Sequence, residues 1–86
     1  MRVLFTSRAW DDYLSWQKGD RKTLRRINAL IADIDRNGHK GIGKPEELRH
    51  SLAGFWSRRI DQEHRLVYRI RGEVVEIVAC RYHYEA

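Results

Sequence analysis

Two periods run along this chain. Apolar residues recur at helical spacing between residues 7 and 37, and from residue 54 onward they alternate as in strands. RVLFT (2–6) reads as a short opening strand of branched and aromatic residues. Ser7 then caps a helix in which Trp10, Tyr13 and Leu14 share a face, with Asp11 and Asp12 near its positive end and Trp16–Gln17 at its close. Gly19 breaks that helix, and Asp20 caps a second one. Leu24, Ile27, Leu30, Ile31 and Ile34 line one face of the second helix; Lys22, Arg25, Arg26, Asp33 and Arg36 fall mostly elsewhere. Asn37-Gly38 is a stop that needs a left-handed residue. GHKGIGK (38–44) reads as a flexible glycine-rich connector, without the spacing of a phosphate-cradling loop. Pro45 to Leu48 form a turn or a short strand. GFWSRRI (54–60), HRLVYRI (64–70) and VVEIVACRY (74–82) are three antiparallel strands, joined by the hairpin-length loops DQE and RGE.

The order is therefore strand, helix, helix, then a three- or four-stranded meander: βααβββ(β), in the α+β class. The economical packing sets both helices on one face of a twisted antiparallel sheet and leaves the other face free for a partner. Strand alternation sorts the residues between those faces. Leu66, Tyr68 and Ile70 oppose Arg65, Val67 and Arg69, and Trp56 and Ile60 oppose Phe55, Ser57 and Arg59. With the aliphatic sets against the helices, Arg59 and Arg65 lie on the open face of adjacent strands. Arg58 then points to the helix side and has to snorkel at an edge. In the last strand Val75, Ile77 and Ala79 alternate with Val74, Val78 and Cys80; apolar on both faces, that strand belongs inside the sheet. Trp10 and Trp16, at helix spacing, read as core.

Length and composition narrow the picture further. The 86 residues read as one domain, 1–86, without repeats or linkers. Seventeen Lys and Arg against twelve Asp and Glu leave a net charge of +5, which suits a polyanionic partner such as nucleic acid, a membrane surface or an acidic protein. The lone Cys80 excludes an internal disulfide and reads as a small buried hydrophobe. No stretch has the length of a membrane span or a secretory leader, so the cytoplasm is the simplest compartment.

The chain ends in RYHYEA, an unusual load of functional side chains for a terminus. Together with Glu46, the residues Arg59, Arg65 and His83 make a set that can break a phosphodiester in RNA. A carboxylate takes the proton of the neighbouring 2′-hydroxyl, an imidazolium protonates the leaving 5′-oxygen, and arginines stabilise the charge building on the phosphoryl oxygens. Tyrosine stacks on a base or donates a hydrogen bond. This chemistry requires no metal or other cofactor, and no metal-ligand spacing is visible. The plainer alternative makes the terminal histidine exposed and inert, the arginines solvated or paired with Asp61 or Glu63, and Glu46 the cap of a turn. His39 reads as inert, and His50 and His64 as hydrogen-bonding residues around the site or the core.

W-D-D-Y (10–13), G-K-P-E (43–46), G-F-W-S-R-R-I (54–60), E-H-R-L-V-Y (63–68) and A-C-R-Y-H-Y (79–84) together resemble the YoeB-type toxins, a branch of the RelE superfamily of bacterial toxin–antitoxin systems. The resemblance spans almost the whole chain. It implies a microbial RNase (RelE-like) fold and a metal-independent endoribonuclease that cuts mRNA in the ribosomal A site, meeting rRNA there and blocking translation. It also implies a YefM-type antitoxin with an acidic segment that covers the site, and toxins of this type are often homodimers; a third reading, autoregulation of the operon, predicts operator DNA binding only as the toxin–antitoxin complex. By that resemblance Glu46 is the general base, Arg65 the arginine on the transition-state phosphate with Arg59 beside it, His83 the general acid, and Tyr84 the residue that orients the substrate. Lys44 and Arg49 add basic contacts to RNA. A non-catalytic ribosome- or RNA-binding inhibitor that acts by occupancy is the alternative.

Overall fold

The computed structural model describes residues 1–82. Five strands and two helices follow the expected order: β1 (Arg2–Phe5), α1 (Ser7–Gln17), α2 (Arg21–Asn37), β2 (Glu46–Glu47), β3 (Trp56–Arg59), β4 (Arg65–Arg71) and β5 (Val74–Ala79), with a turn of 3-10 helix at His50–Leu52. The sheet order is β1-β5-β4-β3-β2. From β2 to β5 the pairing is antiparallel, as the hairpin-length loops require. β1 joins β5 in parallel, so the sheet as a whole is mixed. The chain leaves β1 through both helices and returns to its side only in β5; residue alternation carries no information about that direction. β5 is an inner strand, which explains its two apolar faces.

Both helices pack on one face. Ile27, Leu30 and Ile34 of α2 and Ala9 and Trp16 of α1 are buried against Leu66, Tyr68, Val75, Ile77 and Cys80. Burying each large apolar side chain is worth about 1.5–3 kcal/mol, so this one layer supplies most of the driving force. Trp16 keeps its polar edge satisfied by donating from Nε1 to the Cys80 carbonyl at 2.9 Å. Trp10, read as core, is instead 46% exposed; it stacks on Tyr13 and meets Phe5 edge-on.

Four local readings shift. The cap of α1 is Thr6, whose hydroxyl accepts the Ala9 N–H, and Ser7 is already helical. Asp12 sits beyond the first turn and accepts the Cys80 N–H instead. The third shift is a register irregularity between Val67 and Tyr68: Tyr68 faces Ile77, yet Val67 faces Ala79. β5 thus carries one extra residue, and Cys80, not Ala79, joins Ile77 in the core against the helices. Burial first, and the nearby Asp12 carboxylate second, push the Cys80 thiol up to about 12, so it is a packing residue and not a nucleophile. β5 stops at Ala79, three residues before the expected end, and Arg81–Tyr82 form a bend with Tyr82 left-handed at φ 63°.

Candidate active site on the helix-free sheet face

Register sets the open face. Arg59 lies directly opposite Arg65, and Ser57 directly opposite Val67, which in turn faces Ala79. Glu46 pairs with Ser57 from the edge strand β2. Side chains opposite one another share a face, so Glu46 and Arg59 are diagonal neighbours about 7–8 Å apart, and the Cβ atoms of Arg59 and Arg65 are about 5 Å apart. Ser57, Val67 and Ala79 form a buried floor beneath these charged groups. Glu46 and Arg59 are exposed, and Arg65 is half-buried.

Among the described residues neither arginine pairs with a carboxylate. Arg65 donates through Nη1 to the carbonyls of Asp61 (2.8 Å) and His64 (3.1 Å), which fixes the stem of its guanidinium. The Asp61 carboxylate is occupied elsewhere: it accepts the backbone N–H groups of Glu63 and His64. Burial, the largest single influence, works against its charge, but those two bonds and the nearby Arg65 charge among others together hold Asp61 below the usual carboxylate range. Among the described residues these two guanidinium groups face each other with no carboxylate in ion-pair contact, an arrangement that suits an anion.

Glu46 is positioned by a device that sequence reading missed. Arg58 does not snorkel at an edge; it is fully buried. Its Nη1 binds the Asp33 carboxylate and the Ile42 carbonyl, and its Nη2 binds the carbonyls of Gly38 (2.6 Å) and Lys40 (3.2 Å). Its Nε donates to the Tyr68 hydroxyl at 3.2 Å. Asp33 also accepts the Ile42 N–H, and the Arg58 bond holds this carboxylate below its usual range. The 38–44 loop is therefore pinned and is not a free connector. Gly43 completes the seat: its φ is +84°, and a Cβ there would stand 2.7 Å from Leu30 Cδ2. Its carbonyl accepts the Arg59 N–H at 2.7 Å, locking the loop to β3 just before Lys44, Pro45 and Glu46. The visible signal was the pair Arg58-Arg59, one of which had to face the apolar layer, with Asp33 one helical turn before the loop.

His39, read as inert, stacks on Trp56 at 4.0 Å within this pinned loop. Burial chiefly, and the Arg58 charge next, hold its imidazole below the usual value, with Glu47 opposing. As pH falls below about 6.5 the unfolded chain takes up a proton that the folded chain resists, so stability is lost across that window. Urea unfolding at pH 8 and pH 5.5 should show this drop, and His39→Gln should make it smaller; an equal drop in both proteins would remove His39 from the effect.

The remaining candidates are scattered in kind. Lys44 is exposed with φ 51°, directly before the Pro45–Glu46 step. Arg49 is exposed at the start of the 3-10 turn, and His50 is exposed with φ 59°. His83 and Tyr84 lie outside the described residues. The chain leading to them is well placed: Arg65 N–H donates to the Tyr82 carbonyl at 3.1 Å, and Tyr82 N–H donates to His64 Nδ1 at 2.7 Å. Among the described residues no group of three His, Cys, Asp or Glu side chains is arranged to hold a metal ion.

Comparison with known proteins identifies the family and the fold. The profile of the family described as YoeB-like toxin of bacterial type II toxin-antitoxin system matches residues 5–84. The Streptomyces coelicolor protein Toxin YoeB is 56% identical over 84 residues, covering 98% of this chain and all of that protein. Among solved structures, a YoeB/ParE toxin from Agrobacterium tumefaciens superposes with a TM-score of 0.95 at 45% identity, over 98% of this chain and 100% of that one. The toxin in the heterotetrameric YoeB-YefM complex from Staphylococcus aureus superposes with a TM-score of 0.91 at 46% identity, over 98% of both chains.

Proposed function

The chain belongs to the YoeB-like toxin family of bacterial type II toxin–antitoxin systems, and from that premise we propose that it is a ribosome-dependent endoribonuclease that cuts mRNA in the A site. The observation that supports this reading most directly is the register of the open face: Arg59 opposite Arg65, with Glu46 on the diagonal. A phosphodiester laid along that face meets two guanidinium groups that pair with no carboxylate among the described residues. Glu46 takes the proton of the 2′-hydroxyl, which attacks the adjacent phosphorus and forms the 2′,3′-cyclic phosphate. His83 gives its proton to the departing 5′-oxygen. Arg65 carries the charge that grows on the phosphoryl oxygens, Arg59 supports it, and Tyr84 orients the substrate. Lys44 and Arg49 add charge that draws in the RNA backbone. The same cationic face suits the acidic segment of a YefM-type antitoxin, so inhibition is occupation of the site.

Primer extension on mRNA from cells expressing the wild-type chain and His83→Gln tests this. Cuts within translated codons are expected in the wild type and absent in the variant. Growth arrest without cuts in either strain would replace the nuclease by an inhibitor that acts by occupancy.

A further inference from the structure

After Ala79 the terminal stretch leaves the sheet ladder and is held by bonds from other elements. Asp12 accepts the Cys80 N–H at 3.0 Å, and Trp16 Nε1 donates to the Cys80 carbonyl. Arg81 donates to Ser15 Oγ at 2.7 Å and lies over the Trp16 ring, 4.4 Å from its centroid. Past that point the hold passes to His64 and Arg65. His64 is 8% exposed, wedged edge-on against Trp16 with centroids 4.8 Å apart, and its own N–H is fixed by the Asp61 carboxylate at 2.7 Å. Its Nδ1 accepts the Tyr82 N–H at 2.7 Å. A backbone amide only donates, so Nδ1 bears the lone pair and Nε2 the hydrogen, 3.7 Å from the Glu63 carboxylate.

We propose that His64 is a positioning residue: in its neutral form it fixes the main chain at Tyr82, the point from which the chain continues to His83. A second proton on His64 would sit on Nδ1 and face the Tyr82 N–H, donor against donor, and break this bond, leaving Tyr82 held only through its carbonyl by the Arg65 N–H. Against the ring itself lie the Glu63 carboxylate of its own turn, uncharged Trp16 of α1 and the Tyr82 phenol; the Asp61 carboxylate and the Arg65 guanidinium bind the His64 backbone, and Arg81 lies over the Tyr82 ring. The left-handed φ of Tyr82 is the strained point that this bond keeps in place. The inference rests on the nuclease reading only for the role of His83.

The test has two arms. In nitrogen-15 NMR of the purified chain, the Tyr82 amide should be protected from exchange at neutral pH and should lose protection on acidification. His64→Asn, whose Oδ1 reaches the place of Nδ1 and does not titrate, should keep that protection throughout. In mRNA cleavage on translating ribosomes, His64→Ala should lose about tenfold or more in kcat with little change in KM, because misplacing a reacting group by an ångström has that scale of cost. His64→Asn should restore most of the loss and lack the part of the acid limb that wild type owes to His64. Tyr82 protection independent of His64 protonation would overturn the proposal. So would failure of His64→Asn to restore what His64→Ala loses, since the ring would then act by packing on Trp16 alone. A chain that cuts no RNA, yet whose Tyr82 amide follows His64, would remove the nuclease reading and leave the latch standing.

Discussion

Arg58→Met is expected to lower the free energy of unfolding by about 3 kcal/mol, the low end of the scale for removing one partner of a buried ion pair, because Arg58 is fully buried while Asp33 is only partly so. Methionine fills much of the space, so the loss would not come from a cavity. It would come from the acceptors left behind: the Asp33 carboxylate, the Gly38, Lys40 and Ile42 carbonyls and the Tyr68 hydroxyl. A fully buried acceptor stripped of its donor costs about 1–3 kcal/mol, which applies to the Tyr68 hydroxyl; the carboxylate and the loop carbonyls are part-buried, and water offsets some of their loss. Urea unfolding should show a lower midpoint at an unchanged slope. Arg58→Lys should recover only a minor share, because one ammonium cannot span acceptors that a planar fork reaches from two sides. Arg58→Met combined with Asp33→Leu should be less damaged than the sum of the single changes, because the orphaned carboxylate is gone. A loss under about 1 kcal/mol in Arg58→Met would mean that the loop is held by its glycines and not by this side chain. Because the loop delivers Glu46, the same variant should also cleave RNA poorly.

That buried arginine marks the limit of what alternation along a strand discloses. The helices, the meander and the inner place of β5 follow from apolar spacing, because each element has to turn one stripe toward a shared core. Arg59 and Arg65 were legible on the open face for the same reason. The parallel β1–β5 pairing was not, since a strand's side-chain pattern is the same in either direction. The extra residue in β5 was not legible either: Ala79 and Cys80 are both small and apolar, so nothing in their identity says which faces the helices. Arg58 was misplaced because its partners are carbonyls of a loop folded back over it, a contact between segments that no local period encodes. His64 was read correctly as a hydrogen-bonding residue, but its partner, the Tyr82 amide, is 18 residues away and lies beyond the end of the strand.

Arg65→Ala is expected to lower mRNA cleavage by about 10²–10³-fold, the usual loss when a donor aimed at developing transition-state charge is removed. The guanidinium is half held and half free. Nη1 is committed to the Asp61 and His64 carbonyls, and among the described residues the other donors carry no bond. That arrangement fixes the fork without neutralising it, so its remaining N–H groups meet phosphoryl oxygens with little reorganisation. Losing the two carbonyl bonds should cost only about 1–2 kcal/mol of stability, so the variant should stay folded at the assay temperature. Arg65→Lys keeps the charge but loses the fork, and should fall between alanine and wild type. Arg59→Ala should mainly raise KM, because Arg59 is exposed and its guanidinium has no such fixed seat among the described residues. Single-turnover cleavage on ribosomes separates the two effects: the chemical rate falls for Arg65, and half-saturation rises for Arg59. An Arg65→Ala protein that cuts within threefold of wild type would leave the transition-state charge to another group, and Arg59, its direct cross-strand neighbour, would be the first to test in its place.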